Sequence, residues 1–213
     1  MLPIRFVLMR PRNAENLGAA ARALKNCGLS EWTWVRPEAE DLGPARRLAV
    51  HAEEVLDGAR RADTLEEAVA DCVWVVGTSS RKVEGKRRLS PRAVGEELVA
   101  RAAQGPVAVV FGDERSGLTN AEVERCHDLS AVPTDPSQPS INLAQAVLLY
   151  AYEVRMASLA AAPTRNTLPP TNGCWRKYRT TSHGLKPVRF RKPLLPLMTR
   201  CGSRRRCVPG RRF

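Results

Sequence analysis

Short, continuous apolar runs alternate with helix-periodic stretches along the first three-quarters of the chain. IRFVLM (4–9), WTWV (32–35), CVWVVG (72–77), PVAVVFG (106–112) and LSAV (129–132) read as strands. Between them, ENLGAAARALKNCG (15–28) repeats small apolar residues at helical spacing, with Gly28 at a C-cap position. The Ala-rich stretch from Pro44 to Arg61 reads as mostly helical, and Thr64 with Glu67 makes a capping box for a helix through about Ala70. Ser90-Pro91 opens a helix to about Ala103, Thr119 with Glu122 caps a short one, and residues 142–161 form a long one. Strand runs without polar alternation are buried on both faces. The pattern therefore predicts an α/β fold, a parallel sheet with helices on both faces.

Composition divides the 213 residues in two. Residues 1–160 carry 20 Lys and Arg against all 22 acidic residues, whereas residues 161–213 carry the other 14 basic residues and no acid. The formal net charge of +12 thus belongs to the terminal segment and does not by itself make the body a nucleic-acid binder. That segment holds seven prolines (163, 169, 170, 187, 193, 196, 209) and no sustained helical period. Its composition predicts disorder, so the expected domains are 1–161 and a basic, Pro/Arg-rich tail, 162–213. Two readings of the tail are open: a shifted reading frame, or a basic RNA-binding arm with Trp175 and Tyr178 among its cations.

No apolar run approaches the roughly 20 residues of a membrane span. At the start, Arg5 interrupts the apolar stretch and Arg10 and Arg12 follow it, the reverse of a secretory signal. The six cysteines form no CxxC pair, so no zinc site is expected, and those at 27, 72 and 126 read as buried thiols of a reducing, cytoplasmic compartment. His51 and His127 lack an acid or Cys partner at useful spacing, and Trp32, Trp34 and Trp74 read as core.

Ligands on parallel sheets bind beyond the carboxyl ends of the strands, where three loops have unusual composition: GTSSR, GDERSGL and PTDPSQPSIN. A further polar site, NLGAAAR (16–22), opens a helix directly after a strand. Asn16 could be an N-cap and Arg22 a surface cation, or both could serve a site, with Gly18 permitting close approach. In GDERSGL, Gly112 and Gly117 flank a polar run that is either a turn or a ligand cradle; it lacks the GxGxxG pattern and the phosphate-loop lysine. Pro133, Pro136 and Pro139 stiffen the third loop, and Ser140 is either an N-cap or part of a cleft wall. The basic loop RKVEGKRR (81–88) is either solvated or a hold for RNA phosphates through Arg81, Lys82, Lys86, Arg87 and Arg88.

Taken together, NLGAAAR, VVGTSSR, VFGDERSGLTNAEVERCH and PSINLAQAVLLYAYEVRMASLA resemble the signature motifs of the SpoU/TrmH class of SPOUT RNA methyltransferases, over about residues 4–160. The resemblance implies a trefoil-knotted α/β domain, usually a homodimer, that binds S-adenosylmethionine and methylates a ribose 2′-hydroxyl of RNA. The branch it most resembles acts on tRNA at anticodon-loop nucleotide 32; ribosomal RNA methylation and a catalytically silent RNA-binding protein are the alternatives. The resemblance further implies Arg22 as catalytic residue with Asn16 as its positioning partner. It puts Thr78, Ser79, Ser80, Gly112, Val132, Ser140, Ile141 and Asn142 around the methyl donor, and gives Glu114 the task of ordering the second loop. For Arg22 two roles are open: a proton acceptor, or a cation that orients a phosphate and stabilises charge developing on the 2′-oxygen.

Overall fold

Alternate residues of each apolar run face opposite layers of helices. The computed structural model describes residues 2–162; the expectations for the basic tail lie outside the described residues. Seven strands among them form one sheet in which every pairing is parallel, in the order β3-β2-β1-β6-β4-β7-β5. The strands are β1 (Ile4–Met9), β2 (Trp32–Val35), β3 (Arg60–Ala62), β4 (Trp74–Thr78), β5 (Arg88–Leu89), β6 (Val107–Phe111) and β7 (Asp128–Ser130). The helices are α1 (Ala14–Asn26), α2 (Gly43–Leu48), α3 (Glu53–Asp57), α4 (Leu65–Val69), α5 (Pro91–Arg101), α6 (Asn120–Arg125) and α7 (Leu143–Ala161).

Ile4, Phe6 and Leu8 of β1, with Val107, Val109 and Phe111 of β6, pack under α1, α2, α3, α5 and α7. Val7 and Met9, with Ala108 and Val110, pack under α4 and α6 on the other face. Both faces are therefore dry, which is why the central strands read as unbroken apolar runs. Arg5 is the exception on the second face. It reaches α4 and its C-terminal turn, donating to the Ala68 carbonyl (2.7 Å) and to both carboxylate oxygens of Asp71 (2.6 and 2.9 Å). Trp32, Trp34 and Trp74 are buried in the first core as expected.

An aromatic stack joins the sheet to α7. The rings of Phe6 and Phe111 stack at 5.9 Å, and Phe111 meets Tyr150 edge-on at 5.5 Å. The Tyr150 hydroxyl donates to Ser130 Oγ (2.7 Å), which donates in turn to the Leu89 carbonyl (2.9 Å). Burial pushes the Tyr150 phenol up to about 12, so it remains a donor in this chain.

Two local expectations are corrected. The stretch from Pro44 to Arg61, read as mostly helical, divides into α2, α3 and the start of β3. The break falls at His51, whose φ of 59° lies in the left-handed region, with its carbonyl held by Lys25 Nζ. Residues 60–62 then pair with β2, because parallel pairing at the sheet edge outweighs local helical preference. The basic loop ends in a strand, β5, that pairs with β7. No helix among the described residues is long and apolar enough to cross a membrane.

Candidate functional site

The carboxyl ends of β4 and β6, the start of α1 and the segment 139–146 that opens α7 converge on a cleft of about 550 Å³. Phe111, Ile141, Leu143 and Ala146 supply apolar wall, and Thr78, Ser80, Asn16, Ser140 and Asn142 supply polar groups. The 112–117 loop forms the remaining side, with Gly112, Glu114, Arg115 and Ser116 at its surface. The sequence therefore located the cleft by its loops. Ser79 and Val132 do not line it: Ser79 Oγ caps its own turn by accepting from Arg81 N (3.2 Å), and Val132 packs against the first core. The Thr78 hydroxyl donates to the Val110 carbonyl (3.0 Å), tying β4 to β6 at the cleft floor.

A relay of side chains joins three of the four motif segments, all but VVGTSSR. Asn142 Nδ2 donates to Asn16 Oδ1 (2.9 Å), and Asn16 Nδ2 donates to Glu114 Oε1 (3.2 Å). Glu114 also accepts from the backbone N–H groups of Arg12 (3.2 Å) and Asn13 (3.3 Å). Asn142 is at the same time the N-cap of α7, accepting from Ala144 N and Gln145 N. Ser140 is thus not the cap. Nor is Asn16, which is buried within the first turn of α1, whose cap is Asn13. Sequence reasoning missed Asn13 because two asparagines three apart compete for one cap.

Two glycines are required by close approaches of the chain to itself. A methyl at Gly18 would collide with the Ala45 carbonyl, so its smallness lets α1 lie against α2. A methyl at Gly112 would collide with the backbone of Gly117 and Leu118, so its smallness closes the 112–118 loop.

That loop is ordered from within by Asp113, another residue not anticipated. Its Oδ1 accepts from Arg115 N and Ser116 N (both 2.8 Å) and its Oδ2 from Ser116 Oγ (2.6 Å). An Asp followed by Ser in a Gly-flanked turn is the available sequence signal. Burial opposes its charge, but these hydrogen bonds and the nearby Arg10 guanidinium hold the carboxyl at about 2. Arg10, directly after β1, forms a two-pronged ion pair with Glu122 and lies 3.5 Å from Asp113. Glu122 also closes the expected capping box with Thr119, accepting from Thr119 N (2.8 Å).

Arg22 stands apart. It is exposed on α1 and outside the cleft lining, with no hydrogen bond or ion pair to another described residue. Asn16 reaches Asn142 and Glu114, so the implied Asn16–Arg22 partnership is not made within this chain. In the basic loop, Arg81 bonds Asn120 Oδ1 (2.5 Å) and the Leu118 carbonyl, and Lys86 bonds the Glu124 and Cys126 carbonyls. Arg87 pairs with Asp128, and Arg88 donates to the Ser80 carbonyl (2.9 Å). Four of the five cations therefore brace the sheet edge and α6, and Lys82 is exposed. His127 is structural, its Nδ1 accepting from Val75 N (3.1 Å).

A parallel sheet with a loop-built cleft at its carboxyl edge is the architecture of an α/β ligand-binding domain. The model of the SpoU rRNA Methylase family matches residues 3–152, and the chain belongs to that family. Among curated relatives, it is 46% identical over 158 residues to the tRNA (cytidine/uridine-2′-O-)-methyltransferase TrmJ of Salmonella typhimurium, covering 74% of this chain. The chain spans 65% of that relative's length. Among solved structures, a methylase family protein from Haemophilus influenzae aligns with a TM-score of 0.70 at 42% identity, covering 75% of this chain and 68% of that one. TrmJ from Z. mobilis aligns with a TM-score of 0.67 at 38% identity, covering 71% and 67%.

Proposed function

We propose that the protein is an S-adenosylmethionine-dependent tRNA 2′-O-ribose methyltransferase that acts at nucleotide 32 of the anticodon loop. The observation that carries this reading is the Asn142–Asn16–Glu114 relay, which ties three motif segments together beside one cleft. The cleft suits the methyl donor. Its volume is within the ~300–1,000 Å³ of cofactor sites, and it sets an apolar wall of Phe111, Ile141 and Leu143 beside hydroxyl and amide groups. S-adenosylmethionine, when bound, supplies a methyl group already activated by its positive sulfur. The residues of the chain have then to exclude water, hold the ribose oxygen in line and deal with its proton. Lys82, exposed on the loop that follows Ser80, supplies a cation for RNA phosphates, and the exposed guanidiniums of Arg81 and Arg88 flank it.

Arg22 acts, in this reading, at the cleft of a second copy. The outer face of α7 carries Leu148, Leu149, Tyr152, Met156 and Leu159, each 40–54% exposed. Contiguous apolar exposure of this kind supports a homodimer interface. Helix α1, which bears Arg22, packs beside α7, so a partner seated there has Arg22 within its surroundings. Its planar guanidinium is suited to orienting a phosphate and stabilising the developing charge on the 2′-oxygen.

The test is incubation with labelled S-adenosylmethionine and total tRNA or ribosomal RNA, followed by mapping of methylated nucleotides. The expected product is one 2′-O-methyl at position 32 of tRNA. Label confined to ribosomal RNA would move the substrate assignment, and no label in either, with no calorimetric heat from the donor, would overturn the reading.

A further inference from the structure

The short segment after β1 grips the loop after β6 from two sides. On the cleft side, Arg12, Asn13 and Asn16 hold Glu114. On the far side, Arg10 alone joins Asp113, which organises the turn, to Glu122, which caps α6. The two carboxylates bracket the segment 113–122, and residues 112–117 within and beside it line the cleft. The backbone of Arg10 lies in the left-handed region at φ 46°, uncommon for a residue with a long side chain, and its N–H is fixed by the Val35 carbonyl (2.7 Å). A strained backbone held in place by its own side chain's ion pairs is a feature that sets position. A guanidinium can satisfy both carboxylates at once because its donors form a planar fork; an ammonium at the end of a flexible chain cannot match that geometry.

We propose that Arg10 is a positioning residue that sets the 112–118 loop for the methyl donor, acting through Asp113 and Glu122. This rests on the proposed function for the ligand, but its effect on the loop does not. Arg10 stands behind the loop and outside the cleft lining, so its loss is felt in donor binding and leaves RNA contacts intact.

The experiment compares wild type, Arg10→Gln and Arg10→Lys by calorimetry with S-adenosylmethionine, by tRNA binding, and by backbone hydrogen exchange without ligand. Arg10→Gln is expected to weaken donor binding by on the order of tenfold, with tRNA affinity unchanged. Exchange at the Arg115 and Ser116 amides should quicken while the amides of β1 and β6 keep their protection. Arg10→Lys should fall between, and it carries the comparison if the Gln variant fails to fold. Faster exchange spread evenly over the sheet, or unchanged donor affinity, would reduce Arg10 to a stabilising ion pair and overturn the proposal. If wild type itself gives no heat with the donor, the functional reading fails, and the exchange contrast alone still decides whether Arg10 orders the loop.

Discussion

At the scale of single residues, carboxylates carry the order of the site. Glu114 receives three N–H donors, two from the backbone and one from Asn16. Glu114→Gln keeps the size but replaces one acceptor oxygen with a donor that faces donors. It should destabilise the fold by about 1–2 kcal/mol, measured by urea unfolding, and weaken donor binding in calorimetry. Asp113 adds a pH dependence. Its folded carboxyl titrates near 2, below the ordinary 3.8, so its stabilisation is complete above about pH 4 and is lost as pH falls through about 2. Asp71 follows the same course, because the Arg5 hydrogen bond holds it at about 2. Thermal melts of Asp113→Asn should therefore lie below wild type at pH 7, and the gap should narrow between pH 4 and 2. A gap that stayed constant would mean that the charge of Asp113 contributes nothing.

At the scale of elements, α7 depends on one buried polar chain. Removing the Tyr150 hydroxyl leaves the Phe111 contact in place and takes away one hydrogen bond to Ser130. Tyr150→Phe should cost about 1 kcal/mol in chemical denaturation, and Tyr150→Ala about 3–5 kcal/mol by cavity formation. The elements legible in the sequence were those whose burial is complete. β1 and β2 fall at the residues their apolar runs predict, and β4 and β6 shift by only a residue or two, because strands covered on both faces are built almost wholly of apolar residues. β3 and β5, short and at the two sheet edges, carry Arg60, Arg61 and Arg88, and look like loop or helix until a neighbouring strand pairs with them. The cleft was legible as three loops, since strand ends in a parallel sheet share one edge. Which side chains face it was not. Ser79 and Ser80 are neighbours of similar chemistry, and only the turn made by Arg81 N and Ser79 Oγ decides that Ser80 lines the cleft.

At the scale of the whole molecule, the separation of Arg22 from its own chain's cleft makes subunit pairing testable. Arg22→Lys keeps the charge and loses the planar fork, so turnover should fall by ~10²-fold or more if Arg22 acts on the reacting oxygen or its phosphate. That variant does not say whose cleft Arg22 serves. A mixed dimer does. One subunit carries Arg22→Ala with an intact cleft, and the other carries Ile141→Trp, which fills the cleft but keeps Arg22. Each variant alone should be inactive. If Arg22 acts across the interface, the mixed dimer assembles one complete site, from the cleft of the first subunit and the arginine of the second, and recovers roughly half of wild-type activity. If Arg22 serves its own cleft, neither subunit of the mixed dimer holds both parts, and activity stays absent. The same preparation carrying Tyr152→Glu on both chains, within the exposed apolar face of α7, should lose the recovered activity as the dimer dissociates, because the apolar face then has to bury a charge. Recovery that survived this substitution, with light scattering still showing dimers, would remove α7 from the interface.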